Sequence, residues 1–151
     1  MKQLEDILKT SQPIPLNRKT VLNIAYSAIW IKEMTHPVLK SFDISNEQFN
    51  VLRILRGKKG SPANLQDIQD RMINKMSNTT RLVDKLILKG YVERFTCEKN
   101  RRKVDIFITE SGLKLLHDID PKIDKAEDDI TSNLSVEELE NLNYLLTKLR
   151  S

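Results

Sequence analysis

Apolar residues recur at helical spacing along most of the chain and switch to strict alternation in one stretch. Over residues 16–36, Val21, Leu22, Ala25, Ile29 and Met34 follow that helical spacing, with Trp30 beside them, which predicts a helix. Pro37 disfavours helical geometry at His36, so the helix is expected to end or bend there. Ser45 with Gln48 three residues on forms a capping box. Phe49, Leu52 and Leu55 then line one face of a helix running to about Gly57. Gly60, Ser61 and Pro62 mark a loop. Asn64, with Asp67 in the first turn, predicts the capped start of a helix that buries Leu65, Ile68 and Met72. Ile73 and Asn74 read as a tight turn. Asn74 is then expected to cap a helix over 75–89 that buries Met76, Thr80, Val83 and Ile87.

Gly90 suits the residue after that helix, because glycine tolerates positive φ. Over 91–97 and 103–109 the period changes to two, with Val104, Ile106 and Ile108 alternating with Asp105 and Phe107, which predicts a hairpin. Its tip is Glu98-Lys99-Asn100-Arg101-Arg102-Lys103. Thr109 caps a further helix carrying Leu113, Leu116 and Ile119, which Pro121 is expected to kink or restart, with Asp120 as the new cap. Ser135 and Glu138 form a second capping box, opening a last helix with Val136, Leu139, Leu142, Leu146 and Leu149 on one stripe and Leu145 beside it. Residues 1–15, with Pro13 and Pro15, predict a loose arm or a short helix.

Helix, tight turn, helix and basic-tipped hairpin together make a winged helix-turn-helix. The expected fold class is therefore mainly α with a small β-hairpin wing, flanked by N- and C-terminal dimerisation helices. Three regions follow within one compact domain: an arm and dimerisation helix over 1–40, a winged DNA-binding lobe over 41–110, and C-terminal dimerisation helices over 111–151. A length of 151 residues suits one domain with a real core, and 30% charged against 5% aromatic residues suits a helix-rich intracellular protein. The single cysteine, Cys97, excludes an internal disulfide framework and fits a reducing, cytoplasmic setting. The first residues lack a signal-peptide core, and no apolar run is long enough to span a bilayer, so no membrane partner is expected.

Charge sharpens the picture. Residues 71–103 hold ten Lys/Arg against three Asp/Glu, whereas 110–141 hold ten Asp/Glu against three Lys. One end of the molecule thus suits a polyanion and the other does not. A helix entering the major groove must reach base edges and phosphates without burying hydrophobic bulk. Lys75, Ser77, Asn78, Thr79, Arg81 and Lys85 meet that need, and Asn64 joins them from the start of the bracing helix. Arg81 could make the bidentate contact that guanine offers and Asn78 the one adenine offers. Ser77 and Thr79 suit phosphates, and Lys85 suits the backbone further along. On the wing, Arg101, Arg102 and Lys103 supply positive charge, and one of the two arginines is expected to enter the minor groove. Cys97 reads as an incidental thiol more than as a redox sensor. His36 and His117 stand alone. No metal-ligand spacing, nucleotide-binding glycine loop or nucleophile elbow is present, so neither a cofactor, a metal nor an enzymatic activity is expected.

Thr80-Arg81-Leu82-Val83-Asp84-Lys85-Leu86, then Gly90-Tyr91-Val92-Glu93-Arg94, the basic wing, Ile108-Thr109-Glu110-Ser111-Gly112 and finally Leu134-Ser135-Val136-Glu137-Glu138-Leu139 follow one another in a specific order. In that order the chain resembles the MarR (multiple antibiotic resistance regulator) family over residues 16–150. The resemblance implies a homodimer joined through its N- and C-terminal helices, with two winged lobes straddling a pseudo-palindromic operator in double-stranded DNA. It implies a transcriptional repressor or activator, read here as a repressor, released by a small-molecule effector, commonly phenolic. Val21, Leu22, Leu139, Leu142, Leu146 and Leu149 are the expected dimerisation residues. The terminal stripe supports this independently, since it is too apolar for a lone surface helix. Two positions depart from the family's pattern. Asn100 stands where the wing usually has Asp, and Gln69 where the first helix of the motif usually has a small alanine, so looser or shifted packing is expected there. These departures keep a second reading open, a winged-helix interaction module without DNA binding.

Overall fold

The computed structural model describes residues 3–97 and 100–151, with side chains left undescribed at Cys97 and at 100–103. Seven helices and one hairpin follow in the order α1 (Leu4–Leu8), α2 (Leu16–Ser41), α3 (Asn46–Gly57), α4 (Leu65–Arg71), α5 (Thr79–Leu88), β1 (Val92–Cys97), β2 (Asn100–Ile108), α6 (Glu110–Thr131) and α7 (Val136–Leu149). The expected class, a mainly helical chain with a two-stranded antiparallel wing, is what the structure shows. α1 docks on α2 through Lys19 Nζ, which donates to Glu5 Oε1 at 2.8 Å. That hydrogen bond holds the Glu5 carboxyl below its ordinary pKa.

The core lies in the winged lobe. Val51, Leu52 and Leu55 of α3, Ile68 of α4, Val83 and Leu86 of α5, Val92 and Ile106 of the hairpin, and Leu116, Ile119 and Ile123 of α6 close on one another. α3 is amphipathic through the spacing of Phe49, Leu52 and Leu55, and its capping box fixes its start. Ser45 Oγ accepts from Gln48 N at 3.1 Å, and Gln48 Oε1 accepts from Ser45 N at 3.0 Å. α4 and α7 open on the same reciprocal arrangement at Asn64 with Asp67 and Ser135 with Glu138, as their sequences predict.

Neither proline ends its helix. α2 continues through Pro37 to Ser41, because Leu39 is buried in the core and anchors the last turn, while the carbonyl freed by Pro37 lies on an exposed face where water can satisfy it. The stop comes at Asp43, whose φ of 55° lets Ile44 N reach back to Leu39 O at 3.1 Å. Buried Ile44 and Leu39 complete this Schellman end. α6 likewise runs unbroken through Pro121, held by buried Ile119 and Ile123 on either side. Asp120 is therefore no cap; it binds the Arg56 guanidinium through both nitrogens, joining α6 to α3. On α6, Leu115 is buried and Leu113 exposed, the reverse of the expected emphasis on Leu113.

The hairpin pairs Val92 with Ile108 and Thr96 with Val104, with an irregularity between Thr96 and Cys97. Its alternation places Ile106 in the core and rests Val104 and Ile108 against it. One pairing was not legible from local pattern. Ala63 exchanges two backbone hydrogen bonds with Ile106, at 3.0 and 2.8 Å, and so adds a one-residue third strand to the wing's root.

Candidate nucleic-acid interface

α5 begins four residues later than its sequence suggests. Asn74 does not cap it. Instead Asn74 Oδ1 accepts from Met76 N at 3.0 Å, closing a local turn. Lys75 O, which a helix over 75–89 would pair with Thr79 N, takes a hydrogen bond from Gln69 Nε2 at 2.7 Å. The cap is Asn78, whose Oδ1 accepts from Arg81 N at 3.0 Å. At its far end the helix closes as expected. Gly90 at φ 74° lets Tyr91 N bond Leu86 O at 3.0 Å.

This later start rotates the faces. Thr79, Val83 and Leu86 point inward, while Met76 and Thr80, expected in the core, are exposed. Thr79 must therefore be removed from the expected groove-facing set. It is 4% exposed, and its hydroxyl donates to Gln69 Oε1. Ser77 is half-buried with an enclosed, unpartnered Oγ. Asn78 is exposed, but its oxygen is committed to the cap. It therefore presents its amide nitrogen as a donor, suited to phosphate, and not the paired donor and acceptor that adenine requires. Lys75 turns its ammonium back to Asp70 O at the end of α4. Arg81 and Lys85 are exposed on α5, and Lys85 lies beside the Lys89–Asp43 ion pair in a shallow groove between α5 and the end of α2. Asn64 is spent on capping α4 through Asp67 N at 2.8 Å. Arg101, Arg102 and Lys103 fall on β2, but their side chains lie outside the described residues, as do Glu98, Lys99 and the Cys97 side chain.

Two contacts could not be read from local pattern. Gln69, where looser or shifted packing is expected, joins the turn at Lys75 to the first residue of α5 at Thr79 through its carboxamide. We expect Gln69→Ala to lower stability by about 1–2 kcal/mol, since a buried hydroxyl loses its acceptor. Thermal unfolding would show it, and an unchanged midpoint would mean that the turn holds itself. Arg94 Nη1 also meets Asp84 Oδ1 at 3.0 Å, bracing the wing's first strand on α5. Both partners are well exposed, so the pair sets orientation more than stability.

Among the described residues, no helix is long and apolar enough to cross a membrane, and no cluster of side chains could hold a metal ion. α7 buries none of its side chains, and α2 buries only Leu39. Of the expected dimerisation residues, Val21, Leu142 and Leu149 are exposed, while Leu22, Leu139 and Leu146 are half-covered. Tyr26, Ile29, Trp30 and Met34 widen the open apolar surface of α2.

The MarR family's sequence profile matches residues 44–104, the winged lobe. Over 129 residues the chain is 32% identical to the HTH-type transcriptional regulator MhqR of Bacillus subtilis strain 168, covering 85% of this chain and 86% of that one. Its fold matches a variant of Escherichia coli MarR crystallised with operator DNA, at a TM-score of 0.76 and 24% identity over 98% of this chain and 99% of that one. It also matches Bordetella bronchiseptica BpsR, from a study of how 6-hydroxynicotinic acid regulates DNA binding, at a TM-score of 0.79 and 17% identity over 93% and 99% of the two chains.

Proposed function

Since the chain belongs to the MarR family of winged helix-turn-helix DNA-binding transcriptional regulators, we propose that it acts as a homodimeric repressor whose grip on a pseudo-palindromic operator is set by a small molecule. The observation that carries the dimer is α7. Its 14 residues bury no side chain within the chain, yet Val136, Leu142, Leu145 and Leu149 are exposed on it. Leaving such a surface in water forgoes roughly 25 cal/mol for each Å² that a partner would cover. A second copy, meeting it with its own α2 and α7, sets two lobes in a two-fold pair, the symmetry a palindromic operator requires. In each lobe Arg81 reads a base edge, Asn78 and Lys85 hold phosphates, and the wing arginines take the neighbouring groove.

The effector's place is a cavity of about 540 Å³ between α2, α3 and α6. Leu39, Phe49, Met72 and Ile123 give it an apolar floor, and Lys32 and Arg53 stand on its rim with Glu47 and Glu127. That lining suits a small aromatic ligand with polar substituents. The relative whose DNA binding is regulated by 6-hydroxynicotinic acid supports this class of ligand. Because the cavity lies between the helix with the open apolar face and the lobe, its occupant would alter the angle between lobes and so their fit to two half-sites.

Fluorescence anisotropy tests this reading. The intact protein should bind the DNA upstream of its own gene about a thousand-fold more tightly than a scrambled duplex near physiological salt. In the same buffer it should sediment at twice the mass of one chain. Equal, weak binding to both duplexes, vanishing steeply with salt, would mean phosphate attraction alone and would overturn the proposal.

A further inference from the structure

Met76 is the most exposed large apolar side chain among the described residues, at 92%. Its surroundings are polar and cationic. Lys75, Ser77 and Asn78 adjoin it, and Arg81 stands one turn into the helix that follows. Its exposure is not that of a loose loop. Ile73 N donates to Asn50 Oδ1 at 2.9 Å, Met76 N to Asn74 Oδ1 at 3.0 Å, and Ser77 N to Asn74 O at 3.2 Å. Gln69 Nε2 ties the carbonyl of Lys75. The backbone on either side of Met76 is thus fixed, and its side chain stands exposed just before the capped start of α5.

A cationic rim selects a polyanion, and the apolar tip within it selects an apolar group on that polyanion. In the major groove of DNA that group is the C5 methyl of thymine. The start of the recognition helix is the part of a helix-turn-helix that approaches base edges. A methionine side chain is apolar and polarisable and can pack on a single methyl. We infer that Met76 is a specificity-determining residue that recognises one thymine in each operator half-site through its C5 methyl. The inference rests on the reading of α5 as the groove-facing helix.

Deoxyuridine in place of thymine removes that methyl and leaves base pairing intact. Each symmetric pair of thymines in the operator would be replaced in turn and binding measured by anisotropy. One pair should weaken the wild type on the order of ten-fold, about four-fold for each methyl removed. Met76→Ala should bind the natural operator more weakly by a similar factor and be indifferent to that replacement, while Met76→Leu should keep the discrimination. Circular dichroism should show both variants folded, since the side chain touches no core. Indifference of the wild type at every thymine, or full discrimination by Met76→Ala, would overturn the assignment. Failure of the wild type to prefer the operator over a scrambled duplex is a separate result, which would overturn the reading of α5 and this assignment with it.

Discussion

Arg81→Glu is expected to abolish operator binding and leave the protein as stable as before. The two effects separate because of where Arg81 sits. Its side chain is exposed, and the cap uses its backbone N–H, which Asn78 Oδ1 accepts at 3.0 Å. Glutamate keeps that N–H. It also stands at the third helical position, where a carboxylate favours the positive end of the helix dipole and can return a hydrogen bond to the cap. The fold should therefore be unharmed. The interface should fail, because a bidentate arginine–guanine contact is worth about 1–3 kcal/mol and the exchange adds repulsion from phosphate. With two copies on a two-fold operator, a loss of at least about a thousand-fold is expected by anisotropy. Retained binding with an unchanged melting temperature would place Arg81 outside the groove and leave the operator to be read by other residues.

Gly112→Val should have the opposite profile, a damaged fold. A Cβ on Gly112 would collide with the Tyr91 carbonyl oxygen and lie 2.7 Å from Ile108 Cγ1. The carbonyl is backbone and already accepts from Thr109 N at 3.1 Å, so it cannot swing aside. Thr109 is held as well. Its hydroxyl donates to Gly90 O at 2.7 Å and accepts from Gly112 N at 3.1 Å. The start of α6 would have to lift off the root of the wing. A cost of about 3 kcal/mol is expected, which is roughly a 10 °C fall in melting temperature at fixed protein concentration. An unchanged melting temperature would mean that α6 does not seat so closely on Tyr91.

What the sequence made legible follows the range of the chemistry. The starts of α3, α4 and α7 could be read because a cap and its partner lie three residues apart. Gly90 could be read for the same reason. Pro37 and Pro121 do not end their helices because their local preference is weaker than the anchoring of Leu39, Ile119 and Ile123 in a core assembled from distant segments. The start of α5 was misplaced because Gln69, on the preceding helix, takes the carbonyl of Lys75. That one shift moved Thr79 inward and Met76 outward, and so altered the candidate interface more than any other difference. Arg81 stays exposed on the helix because it lies within either version of it.

The paired hydrogen bonds between Ala63 and Ile106 bear on how such a lobe can be regulated. Ala63 immediately precedes the cap of α4, and Ile106 is a fully buried residue of β2. The wing's root and the first helix of the reading unit therefore share one splint, and the wing cannot swing there without carrying α4 along. In the proposed dimer, the spacing and tilt of each lobe against its twin would stay adjustable, so a signal at the junction would act as a change in pitch between two callipers.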